Sequence, residues 1–265
     1  MPIVFAAITP HPPVLIPEIG KDNLAKIKKT QEAMKKIEQE LYASKPDSLV
    51  VLSTQENVSP DSFTINLSAE YKADFKDFGD FGLELNFKGD FMSMQKIRSA
   101  DESNQSVAIV LNSEERLEHG FSVPLYSLTK HAKDLPIIPI AYSGLDYQAH
   151  YDFGKFLYDQ LTSINKRFAI VASADLSHTL SPDAPGGFNA NGKKFDELII
   201  NALKKKDLPA IVSLDPQLAA EAKESGLRSI IILLGMLSNL QVTPEVLSYE
   251  GPFGVGYGVC HFKIS

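Results

Sequence analysis

The sequence has no tryptophan, one cysteine and no long apolar run. A lone cysteine, Cys260, excludes an internal disulfide framework and a thiolate zinc cluster. No apolar run approaches the ~20 residues of a membrane-spanning helix, so no membrane partner is expected. Basic charge is short as well: 26 Lys and Arg stand against 33 Asp and Glu, a formal charge of −7. That balance argues against nucleic acid as a partner, because phosphate backbones are bound by an excess of lysine and arginine. The opening Met1-Pro2-Ile3-Val4-Phe5 carries no basic segment, which predicts a soluble cytoplasmic protein. What is present is ordinary. The 265 residues, 44% of them apolar, are enough for a large core, and with no linker, repeat or charged tail they predict one domain over 1–265.

Hydrophobic patterning predicts an α/β order. Ile3 to Ile8 is an apolar run closed by Thr9-Pro10-His11-Pro12-Pro13, a buried strand entering a stiff loop. Asp22 to Ala43 has apolar residues at helical spacing, and Ser48 to Ser53 is a second buried strand, completing a right-handed crossover unit. The stretch from Ser62 to Asp101 alternates among Asp, Lys, Phe and Gly, and predicts peripheral strands and loops covering one edge. Alternation then resumes. Strands are expected at Val107 to Leu111, Pro136 to Ala141 and Phe168 to Ala174, and helices at Val123 to Lys133 and Tyr147 to Asn165. Further helices are expected at Lys193 to Lys204, Gln217 to Lys223 and Leu227 to Leu240, then strands at Val246 to Tyr249 and Val255 to Ile264.

Ligands of open α/β sheets bind beyond the carboxyl ends of the strands, so residues just past each predicted strand matter most. There stand His11, then Thr54-Gln55-Glu56, then Glu118-His119-Gly120, then Asp175 and His178. His11 has a backbone pre-ordered by prolines, as suits a metal ligand, or it fills a turn. Asp175 and His178 either face one cavity or cap the following loop, and His119 either presents its imidazole or caps a helix. Of the six histidines, His131 and His150 sit among charged residues and read as solvated, while His261 alternates within the last strand and reads as structural. The Gly251 to Gly258 segment lacks the strand-to-helix setting of a phosphate loop, and no Gly-x-Ser-x-Gly elbow exists.

In order along the chain, Pro10-His11-Pro12-Pro13, Glu118-His119-Gly120 with Val123-Pro124-Leu125, Ala174-Asp175-Leu176-Ser177-His178, Glu224-Ser225-Gly226-Leu227-Arg228 and the closing Gly254-Val255-Gly256-Tyr257-Gly258 resemble one family. They are similar to the class III extradiol ring-cleavage dioxygenases, in the catalytic large-subunit superfamily that includes a Memo-like branch. The resemblance implies a mixed central β-sheet flanked by helices, with the site at the C-terminal ends of the strands. It implies Fe(II) held by two His and one carboxylate, with positions left open for a small catechol-like aromatic substrate and O2. His11 matches the first ligand. The second belongs just past the second strand, where Gln55 holds the expected position and Glu56 follows. The third belongs at the Glu224-Ser225 corner, Ser225 by offset and Glu224 by chemistry. His178 matches the family's acid/base residue, and His119 a histidine that contacts substrate.

Two functions stay open on this resemblance. One is an Fe(II)-dependent extradiol dioxygenase in which His11 with Glu56 or Glu224 holds the metal and His178 moves a phenolic proton. The other is a metal-poor, Memo-like relative that binds a ligand or protein partner through the same cleft, with another divalent metal or none. A hydrolase built on the same His and Asp cluster has no activated Ser or Cys in its favour. A homo-oligomer and a separate small subunit are both open.

Overall fold

A computed structural model describes residues 2–104 and 107–265. In chain order the elements are β1 (Ile3–Thr9), α1 (Pro17–Gly20), α2 (Lys28–Ser44), β2 (Ser48–Ser53), β3 (Phe63–Asn66), β4 (Glu70–Phe75), β5 (Asp80–Lys88), α3 (Phe91–Asn104), β6 (Ile109–Asn112) and α4 (His119–Leu128). There follow β7 (Ile137–Ala141), α5 (Tyr147–Thr162), β8 (Phe168–Ser173), α6 (Ala190–Lys205), α7 (Leu208–Val212), α8 (Pro216–Ala222), α9 (Leu227–Leu237), β9 (Val242–Glu250) and β10 (Tyr257–Ile264).

Strands β2, β7 and β8 are buried throughout because helices cover both faces of the sheet they build. An eight-stranded sheet runs in the order β6-β3-β7-β2-β8-β1-β10-β9. Its centre is parallel, with β2 beside β7 and β8, and β8 beside β1. The β3–β7, β1–β10 and β10–β9 pairs are antiparallel, so the sheet is mixed, as expected. Alternation sends successive β1 residues to opposite layers: Ala6 and Ile8 join Phe153, Leu157 and Ile230, while Phe5 and Ala7 join Ile37, Leu41 and Val123. Helices α5 and α9 cross closely on the first layer. A Cβ on Gly154 would stand 2.1 Å from the Ile232 carbonyl oxygen, and one on Gly235 2.1 Å from that of Tyr151. No helix among the described residues is long and apolar enough to cross a membrane.

The stretch from Ser62 to Asp101 departs from expectation. Its first strand, β3, is not peripheral but lies inside the large sheet between β6 and β7. Only β4 and β5 form a separate hairpin, and α3 replaces the expected loop. Conversely, the apolar run that predicts a buried strand at Val107 to Leu111 forms the edge strand β6, with Val110 half exposed. Helix α4 begins at His119, four residues before the expected start, with Pro124 inside it.

His150 is also corrected: it is fully buried, not solvated. Its Nδ1 lies 2.7 Å from the Asp146 carbonyl and its ring packs edge-on against Phe63. Burial lowers its pKa to about 4, more than the Asp146 carbonyl raises it. The unfolded chain therefore takes the proton first, and the stability His150 contributes above pH ~6.5 is lost as pH falls toward 4. His150→Asn should flatten the acid side of a urea-midpoint profile by up to about 1.4 kcal/mol per pH unit. An unchanged slope would show that His150 is not the group responsible. Asp196, whose pKa burial raises to about 6, acts with the opposite sign in both proteins and cancels in the difference.

Candidate functional site at the strand ends

Because β1, β2 and β8 are parallel, their carboxyl ends share one edge, and antiparallel β10 begins at that edge. His11 stands two residues past β1 and Asp175 two past β8, and an isolated bridge joins Asp175 to Tyr257 at the start of β10. The first residues of α4 and α9 complete the ring. Gly120 lets α4 approach, since a Cβ there would lie 2.5 Å from Ser53 Oγ.

His11 is the buried centre. Its backbone N–H donates to Asp175 Oδ1 at 2.8 Å, which fixes the loop. Its Nδ1 lies 2.9 Å from Ser173 Oγ, and that hydroxyl donates onward to the Gly120 carbonyl. The network therefore places the His11 proton on Nδ1 and leaves Nε2 a free lone pair. Nε2 faces Ser225 Oγ at 3.4 Å and Asp175 Oδ2 at 3.8 Å. His119 meets the His11 ring edge-on, centroids 5.6 Å apart, and also meets Phe78 of the β4–β5 turn at 5.4 Å. His178 has Nδ1 3.1 Å from the Leu176 carbonyl, an acceptor only, so this nitrogen carries a proton and Nε2 is the one left to face a ligand.

Burial sets the charges. It drives the His11 pKa down to about 3, helped by the charge of His178, so His11 is a neutral imidazole. Burial also lifts Asp175 to about 6 against the opposing His11 amide and the charges of His178 and His119. His119 is held below the usual histidine range, first by loss of solvent around its ring and then by His11. Tyr257 is raised by burial and by the neighbouring Asp175, so its hydroxyl stays protonated.

The remaining candidate ligands are engaged elsewhere. The Gln55 amide nitrogen donates to the Asn57 carbonyl at 2.8 Å and lies 3.3 Å from Thr64 Oγ1. Gln55 and Glu56 line a neighbouring polar pocket with Asn66, Asn112 and Glu118. The Glu56 amide donates to Glu118 at 2.6 Å, and the Glu118 pKa is raised chiefly by burial, with the Glu56 charge adding to it. Glu224 Oε2 accepts the amides of Gly226 and Leu227 at 2.7 and 2.5 Å, capping α9. Burial raises the Glu224 pKa despite those two amides and Arg228. Among the described residues no group of three or more His, Cys, Asp or Glu side chains is placed to hold a metal ion. The side chain nearest His11 Nε2, Ser225, is a neutral hydroxyl, which does not fit the second imidazole or the carboxylate of a two-His, one-carboxylate iron centre. Of the expected companions of His11, Ser225 contacts its ring, whereas Gln55, Glu56 and Glu224 make the contacts given above.

Residues 5–260 match the family described as the catalytic LigB subunit of aromatic ring-opening dioxygenase. The chain belongs to the LigB family. This LigB-family chain is similar to Protein CA_C1420 of Clostridium acetobutylicum, 32% identical over 261 residues, which are 95% of this chain and 56% of that protein. It therefore spans a little over half the length of the curated relative it matches. The crystal structure of an uncharacterized protein, JW3007, from Escherichia coli K12 has a TM-score of 0.66 at 15% identity, covering 97% of this chain and 99% of that one. That likeness shows the LigB-type fold alone.

Within this LigB-family edge, the structure brings His11, His119, His178 and Ser225 together. Ser173 and Tyr257 join them without having been marked as site residues by the sequence. Tyr257 lies in the closing glycine motif, and its pairing with Asp175 is what the motif's placement signals. Ser173 ends a strand as an interior hydroxyl, which is its own signal: a polar side chain in an otherwise apolar run.

Proposed function

We propose that this LigB-family cleft binds a small ring-bearing ligand and moves a proton on it through His178, without the iron centre of the ring-opening enzymes. The observation that carries this reading is that a serine hydroxyl, rather than a second imidazole or a carboxylate, is the nearest side-chain partner of His11 Nε2. His178 Nε2 is the base, His119 lines the ligand's path, and the buried His11 stays neutral and holds the loop. This is the metal-poor, Memo-like alternative.

Iron-dependent ring opening with O2 is the second reading, favoured by the family match along the whole chain. Anaerobic Fe(II) loading followed by desalting separates them. The proposal expects iron retention far below one equivalent and no catechol-dependent oxygen uptake. Near-stoichiometric iron that is lost in His11→Ala would overturn it in favour of ring opening.

A further inference from the structure

One face of α6 is closed against the turn that carries His178. Gly192 and Asp196 stand one helical turn apart on that face. A Cβ on Gly192 would collide with Ser177 Oγ and Thr179 Oγ1, so its absence lets the helix approach. Asp196, fully buried, then reaches the turn itself: its Oδ1 accepts the Ser177 N–H at 2.8 Å. Its Oδ2 accepts the Tyr249 hydroxyl of β9 at 2.7 Å, in a space that a Cβ on Gly256 would fill.

The Ser177 N–H and the Leu176 carbonyl belong to one planar peptide unit. Asp196 therefore grips one end of the plane whose other end lies 3.1 Å from His178 Nδ1 and orients the ring. The Leu176 N–H donates to the Gly256 carbonyl and the Gly256 N–H to the Ser177 carbonyl, both at 2.8 Å, so the peptides on either side are held as well. A carboxylate is a costly way to fill this interior. Burial pushes its pKa up to about 6 against the Tyr249 hydroxyl and the Ser177 amide, and neither of those partners is a cation. Tyr249 is itself raised above the ordinary tyrosine range, first by burial and then by the Asp196 charge, so it stays a donor. An apolar side chain would pack here at less cost but could not fix the peptide plane.

We propose that Asp196 is a positioning residue for His178, which by holding the Leu176–Ser177 peptide plane aims the imidazole at the ligand. This rests on the reading above that His178 moves a proton on a ring-bearing ligand. Two readouts on the full chain test it: the phenolate yield of bound 4-nitrocatechol, and the hydrogen-bonded Nδ1 proton of His178 followed by NMR. Asp196→Leu keeps the bulk and loses the acceptor. It should cut the phenolate yield of bound probe on the order of tenfold, and the protected Nδ1 proton should disappear. Asp196→Asn still offers an oxygen to Ser177 and should keep both signals within about twofold of the unsubstituted chain. A purely structural Asp196 would lower the urea midpoint in Asp196→Leu and leave both readouts where they were, and that result overturns the proposal. If Asp196→Leu does not fold, Asp196→Ser, too short to reach the amide, is judged by the same two outcomes. Should the unsubstituted chain form no phenolate, the proton reading of His178 fails, and the Nδ1 signal alone then decides for or against positioning.

Discussion

Gly154→Ala is expected to destabilise the protein by about 3 kcal/mol, although alanine is the better helix former by about 1 kcal/mol. The reversal follows from what the new methyl meets. It would stand 2.1 Å from the Ile232 carbonyl oxygen and 2.9 Å from both Gly235 Cα and Met236 N. These are backbone atoms, so no side-chain rotation relieves the overlap; α5 and α9 must separate. Each would then lose contact along a buried seam that includes Phe153, Leu157, Ile231 and Leu234. Because Ser225 lies two residues before α9, the same shift would carry it away from His11. Urea unfolding measures the loss, with Asp159→Ala on the exposed face of α5 as a control expected within about 0.5 kcal/mol of the unsubstituted chain. A loss below about 1 kcal/mol in Gly154→Ala would mean the helices part readily and the seam is loosely packed.

The second large effect concerns the proton. His178 has Nδ1 toward the Leu176 carbonyl and its backbone amide bound to the Ala222 carbonyl at 2.9 Å, so the ring is oriented from both its side chain and its main chain. A chromogenic catechol such as 4-nitrocatechol reports deprotonation by colour. Bound to the unsubstituted chain below its solution pKa, it should turn to the coloured phenolate. His178→Gln keeps a polar side chain of similar reach but no base, and should bind the probe with the phenolate yield reduced on the order of 10². An equal yield in His178→Gln would assign the proton to another group, with Asp175 next to be tested.

Much of the architecture was legible because burial on both faces leaves a plain mark. The runs around Val50, Ile138 and Ile170 have apolar interiors with no polar residue to confuse the period, and all form central strands. Where one stretch serves two purposes the pattern blurs. Phe63 to Asn66 alternates like an exposed strand, yet β3 is interior because its neighbours β6 and β7 come from far along the chain. Helix α3 buries Met94 and Ile97 while exposing Phe91 and Met92, so its stripe is too narrow to stand out. For His150 the flanking charges suggest water, but helix phase points the ring inward.

In the cleft, strand-end placement finds His11, His119 and His178, since topology alone brings those loops together. It cannot find the direction of a side chain. Whether Gln55 faces His11 or the Asn57 carbonyl is settled by the turn after β2, and whether Glu224 serves a metal or the helix behind it is settled by two amide hydrogens.

The sheet order also dictates when the cleft exists. His11 and Asp175 are 164 residues apart, and Tyr257 arrives only with the last strand, which pairs with the first through Ala7 and His261. During synthesis, therefore, β1 waits with one edge unpaired until β10 has left the ribosome. Closure over such a span is slow, and unpaired strands of this apolar kind are aggregation-prone while they wait. Refolding should accordingly lag well behind secondary-structure formation, and binding competence should appear as a single late event rather than in stages.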